Sequence, residues 1–104
     1  MVYIDPAAQK ETEDTLREWG LLKDEDCVNF YNMIAPMSMI EKIQSFGLPF
    51  MKLVGELYDD FFKLKLKSED DVRSMINDKD PKSSLLLADT YLRMKKGAEK
   101  LGFR

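Results

Sequence analysis

The sequence predicts an all-α fold, a compact bundle of five or six helices in a single domain over residues 1–104. Three observations carry that expectation. Apolar residues recur at helical spacing, above all Phe50, Leu53, Val54, Leu57, Tyr58, Phe61 and Phe62, which fall at i, i+3, i+4, i+7, i+8, i+11 and i+12. Helix starts are marked by Asp5-Pro6, Asp24, Ser38 to Glu41, Ser68 to Asp71 and Asp80-Pro81, and stops by Gly20, Gly47 and Gly102. The one strand-like alternation, Leu64-Lys65-Leu66-Lys67, has no second strand to pair with and reads as a fraying helix end.

The first helix runs from Pro6 to Trp19 along a stripe of Ala8, Thr12, Leu16 and Trp19, with Gly20 as a left-handed stop. Only its last turns are clearly apolar. It is therefore expected to be the least anchored element, loosely docked or exchanged onto another subunit within 1–22. The second helix is capped by Asp24, carries Cys27, Phe30, Tyr31 and Ile34 on one face, and ends near Ala35-Pro36. In the third, Ser38 and Glu41 form a capping box, and Ile40, Ile43 and Phe46 give the expected core face. The fourth, Pro49 to Lys63, has the widest apolar arc and is expected to be central, with Lys52, Glu56, Asp59, Asp60 and Lys63 on its outer face. A short fifth helix follows Ser68 and carries Val72, Met75 and Ile76. The last, from Pro81 to Leu101, carries Leu85, Leu87, Ala88, Tyr91, Leu92, Met94 and Ala98 and packs along the fourth.

Composition excludes much chemistry. The chain has no histidine and one cysteine, Cys27, which removes internal disulfides, most transition-metal sites and the commonest general base. Its glycines are scattered, with no phosphate-cradling loop. Cys27 lies on the expected buried face of its helix, away from any activating base. Asp24-Glu25-Asp26 and Glu69-Asp70-Asp71 stand where acidic residues favour a helix start. Asp78-Lys79-Asp80 opens like a calcium loop, but Lys82 and Ser83 occupy positions that need a ligand and a glycine. The expectation is a protein that is not an enzyme and holds no metal or cofactor. The opening residues lack a signal-peptide pattern and no run is long and apolar enough for a membrane span, so a cytoplasmic protein without membrane association is expected.

Two features bear on partners. Residues 1–26 hold eight acidic and three basic side chains, net −5, whereas residues 82–104 hold six basic and two acidic, net +4. Such ends attract one another within a chain or between subunits, and a homo-oligomer is expected on that ground. Second, Met33, Met37 and Met39 cluster at a break between helices, where thioethers either fill an irregular core or accept a helical partner. Trp19 and Leu22 form another apolar candidate, alternatively a cap on the protein's own core.

The leading expectation is thus a non-catalytic protein-interaction domain, a small adaptor, inhibitor or assembly factor for a larger macromolecule, contacting it through Trp19, Leu22, Met33, Met37 and Met39. Small acidic domains of this kind are common among viral proteins. The rival is binding of nucleic acid or nucleotide phosphate by Arg93, Lys95, Lys96 and Lys100, with a helix-turn-helix over 40–57 whose second helix begins with few base-reading donors. A small-molecule carrier with a pocket under Phe61 and Phe62 is a third class. Residues 81–103 are faintly similar to the closing helix of phage small terminase subunits, over about a fifth of the chain and without a diagnostic motif, and no residue role carries across.

Overall fold

A computed structural model describes residues 6–63, 65–76 and 79–100. The order is α1 (Pro6–Glu18), α2 (Glu25–Ile34), α3 (Met39–Phe46), α4 (Leu48–Glu56), β1 (Tyr58–Asp60), β2 (Lys65–Leu66), α5 (Glu69–Ser74) and α6 (Pro81–Lys100). The architecture is an all-α bundle carrying one very small two-stranded sheet.

The local signals act as elementary physics requires. Gly20 stands at φ +76°, the Gly20 amide donates to the Arg17 carbonyl and the Leu21 amide to that of Leu16, closing α1 with a left-handed glycine. Buried Leu16 and Leu21 lie at the two ends of that motif. The Cys27 amide donates to Asp24 Oδ1 at 2.8 Å, which holds the Asp24 carboxyl below the usual range. Ser38 and Glu41 form the reciprocal capping box, and Ser68 accepts from the Asp71 amide. Gly47, at φ +69° and ψ −148°, is both the C-cap of α3 and the N-cap of α4, a backbone state essentially reserved for glycine.

The centre of the bundle is α6. From Ser84 to Leu92 every residue is buried, and α1, α2, α4 and α5 all lie against it. Helix α1, expected from sequence to be weakly anchored, lies on α6 of its own chain with Leu16 and Thr12 buried, and Tyr31 donates a long 3.5 Å hydrogen bond to the Gln9 carbonyl. The stop at Gly102 and the last apolar position, Leu101, lie outside the described residues.

Three expectations are corrected. Helix α4 ends at Glu56 instead of running to Lys63, so its apolar stripe stops at Leu57. Asp59 and Asp60 would place two carboxylates at the negative end of the helix dipole. Asp60 Oδ1 instead accepts from the Phe62 and Lys63 amides at 3.1 and 3.3 Å, turning the chain back. The alternation at 65–66 is accordingly a strand. Tyr58 pairs antiparallel with Leu66, the Lys67 amide donates to the Leu57 carbonyl, and the Tyr91 hydroxyl donates to the Lys67 carbonyl at 2.7 Å. Leu64 of the same motif lies outside the described residues. Third, Phe61 and Phe62 stand out into solvent at the turn instead of lying on a buried helix face, Phe62 at 97% exposure.

Candidate functional site

Helix α3 is packed opposite to the sense its sequence suggests. Ile40 and Ile43, the expected core face, are exposed, Ile40 at 68%, while Lys42 is inside at 1%. The reason lies 47 residues away. Asp89 sits in the buried run of α6 with nothing of itself exposed, and its Oδ2 accepts from Lys42 Nζ at 3.2 Å. Its other oxygen accepts from Arg93 Nε at 3.1 Å, one turn further along α6. Arg93 also donates from Nη2 to the Ala35 carbonyl at the end of α2. A buried carboxylate needs a cation within reach, and this one has two. Burial lowers the Lys42 pKa, as does the neighbouring Arg93 cation, against the opposing pull of Asp89.

The same rotation sets what α3 shows to the outside. At 100° per residue, Met39, Ile40 and Ile43 span one 100° arc, beside the line of Lys42 and Phe46 that faces inward. Helix α4 behaves likewise. Phe50 and Leu57 are buried and Leu53 and Val54 partly so, whereas Leu48, at 77% exposure, and Met51 lie on the outer side with exposed Gly55. The inner sides are joined by rings: Phe30 lies 6.3 Å from Phe46, and Phe46 lies 6.5 Å from Phe50, tying α2, α3 and α4 together.

Among the described residues, six of the eight exposed large hydrophobics fall in residues 33–51: Met33, Met39, Ile40, Ile43, Leu48 and Met51. Within that stretch only Glu41 and Lys42 are charged, in a chain that is 34% charged overall, and Lys42 is buried. Glu41 is therefore the one exposed charge there. Depletion of charge around exposed apolar anchors is what distinguishes the core of an interface from ordinary surface.

The residues expected to meet a partner divide. Met33 and Met39 belong to this outward stretch. Met37 is partly buried and packs on the core, the gap-filling use of a thioether. Trp19 and Leu22 also pack partly buried against the core, with the Arg73 guanidinium 5.6 Å from the centre of the Trp19 ring. The spacing of Ile40, Ile43 and Phe46 predicts a core face, whereas the structure turns Ile40 and Ile43 outward together with Leu48 and Met51, which the sequence did not single out as contacts. One signal pointed to them: Asp89, alone among Leu85-Leu86-Leu87-Ala88 and Tyr91-Leu92, demands a buried cation, and a cation on α3 must turn the isoleucines away.

Three basic residues of the last helix are already engaged. Arg93 holds Asp89 and the Ala35 carbonyl, Lys95 Nζ lies 3.7 Å from Glu69 Oε1, and Lys96 pairs with Glu11 of α1. The oppositely charged ends of the chain thus meet within it. The side chain of Lys100 lies outside the described residues. Of the proposed helix-turn-helix, α4 turns Leu48, Met51 and Lys52 outward, a face with a single cation.

Burial, together with the hydrogen bond the thiol donates to the Asp24 carboxylate, pushes the Cys27 thiol up, so it is protonated at neutral pH. Among the described residues no three carboxylates or cysteines are grouped to hold a metal, and no helix is long and apolar enough to cross a membrane. A recess of about 200 Å³ between α4 and the start of α6 is lined by Leu53, Glu56, Met75, Asp80, Ser83 and Leu87. A scan against protein-family models matches none, and comparisons with curated proteins and with solved structures find no match.

Proposed function

We propose that this protein is a non-catalytic interaction domain that presents the outer sides of α3 and α4, with the end of α2, to another protein chain. It acts by occupying a surface, as a small adaptor, inhibitor or assembly factor does. The observation that carries this reading is the rotation of α3: a buried ion pair holds its apolar arc in solvent, at Ile40 and Ile43, where the hydrophobic pattern alone would turn it inward. Outward Met33, Met39, Leu48 and Met51 supply the remaining anchors. The protonated, buried thiol of Cys27 fits a domain without a nucleophile of its own and a cytoplasmic setting.

Phosphate binding draws less support, because Arg93, Lys95 and Lys96 each have a carboxylate of the same chain beside them. Site-specific photo-crosslinking in the expressing cell separates the readings. A photoreactive residue at position 40 or 48 is expected to give a protein adduct of defined mass, and the same residue at exposed Lys10 of α1 none. Adducts of equal yield from all three positions, or nucleic acid captured from position 96 and no protein from 40 and 48, would refute the proposal.

A further inference from the structure

We infer that the chain seated on this face is a second copy of the same protein, related by a two-fold axis, so that two α3–α4 hairpins close into a four-helix layer. The inference rests on the reading of residues 33–51 as an interaction surface and adds the identity of the occupant. The first argument is area. At about 200 Å² for a fully exposed residue of this size, the exposed fractions of Met33, Met39, Ile40, Ile43, Leu48 and Met51 amount to roughly 650 Å². Two such faces bury about 1,300 Å², inside the range of ~1,200–2,000 Å² for stable, specific interfaces.

The second argument is charge. Each copy carries net −3, so two copies repel one another overall. Residues 33–51 are where that repulsion is least, since Glu41 is the one exposed charge among them. A heterologous partner guided by charge has almost nothing to read there, whereas a self-complementary apolar face needs no guide.

The third argument is shape. Helix α3 offers the arc of Met39, Ile40 and Ile43, and α4 offers Leu48, Met51 and Gly55 at i, i+3 and i+7. Two helices joined at one glycine, each with an outward apolar stripe, make half of a four-helix layer. Nothing lies within 4 Å of the position a Cβ would take on Gly55, so a facing helix can approach α4 closely there. The Lys42–Asp89 pair fixes the arc before the copies meet, so little ordering is left to association.

Sedimentation equilibrium of the full chain from about 1 to 300 µM, at low and at 0.5 M salt, tests this. The expected mass is twice 12.1 kDa and insensitive to salt. Ile40→Lys and Leu48→Lys, at positions exposed in the monomer, are expected to keep the helical circular dichroism and to weaken association at least tenfold each, while Phe62→Ser on the β-turn leaves the mass unchanged. A wild-type monomer across the whole range, or undiminished dimers of Ile40→Lys, would overturn the inference. So would a dimer that dissolves in salt, or with Lys96→Glu, while resisting both lysine substitutions. A monomeric wild type that still crosslinks to a different protein from positions 40 and 48 overturns the second copy and leaves the interaction surface standing.

Discussion

The buried pair of Lys42 and Asp89 is where the structure makes its sharpest energetic claim. Asp89→Leu leaves an ammonium 1% exposed with its one carboxylate gone, while Arg93, whose side chain is 36% exposed, can turn to water. Removing one member of a buried pair costs about 3–5 kcal/mol. The loss is a large part of the ~5–15 kcal/mol that holds a domain of this size. Lys42→Met keeps the length of the side chain and leaves Asp89 its bond from Arg93 Nε at 3.1 Å, so it is expected to cost less, about 1–3 kcal/mol. The double variant replaces charge by apolar contact and should be less damaged than the sum of the singles by about 2 kcal/mol or more. Urea unfolding followed by circular dichroism, with unchanged m-values, measures the cycle. The sign of the pH response is a second readout. With the folded-state pKa of Lys42 held below 10.5, the unfolded chain binds the extra proton between that lowered value and 10.5, so the Lys42 contribution to stability increases as pH rises through that window. Lys42→Met should abolish this rise. Additive single costs, or a cost under about 1 kcal/mol for Asp89→Leu, would refute the claim that the pair orients α3.

The tyrosines set an opposite trend in alkali. Burial, with the charges of Asp89 and Glu13 adding to it, pushes Tyr31 up to about 12, so stability present below pH 10 is lost as pH rises towards 12, by about 2 kcal/mol; an alkaline denaturation series in which Tyr31→Phe still shows the full drop would contradict this. Thr90 Oγ1 is buried and, among the described residues, is the side-chain polar atom left without a hydrogen-bond partner, so Thr90→Val should stabilise by about 1 kcal/mol, read as a raised urea midpoint. Gly20 has open space around it but φ +76°, so Gly20→Ala should cost about 1 kcal/mol through the backbone alone; an unchanged thermal midpoint would show that the left-handed stop is dispensable.

Helix starts and stops were legible because each is written in adjacent residues: Ser38 with Glu41, Ser68 with Asp71, and Gly20 after Trp19. The all-α class follows from them. What periodicity alone could not give was rotation and length. Phe61 and Phe62 keep the phase of the α4 stripe, yet Asp60 captures their turn through two amides, a local bond that outweighs the pattern. The burial of Ser84 to Leu92 on every side of α6 was partly visible in Leu85-Leu86-Leu87-Ala88, three leucines in a row that no single stripe accommodates. The candidate surface was half legible: Met33 and Met39 stand outward as one of the two thioether readings required, while Met37 follows the other and fills the core.

The rotation of α3 also shows why the exposed apolar arc and the buried charge belong to one device. Turning α3 by about 100° would bring Ile43 to the place of Lys42 and satisfy the hydrophobic pattern. It would also strip Asp89 of the ammonium 3.2 Å away, leaving Arg93 as the one cation in a site with no exposed carboxylate surface. The turn carries Ile40 only to the place of Met39, 42% exposed, so it buries one isoleucine, worth about 1.5–3 kcal/mol at most, and part of that is already realised because Ile43 is 38% exposed. The loss on breaking a buried pair is about 3–5 kcal/mol, and the turn would also disturb the Phe30, Phe46 and Phe50 ring contacts. The outward orientation is therefore the more stable one for the isolated chain, selected by the ion pair and the rings. A chain that covers Ile40 and Ile43 while leaving Lys42 in place makes that selection decisive, since it adds the apolar burial without asking for the salt bridge in exchange.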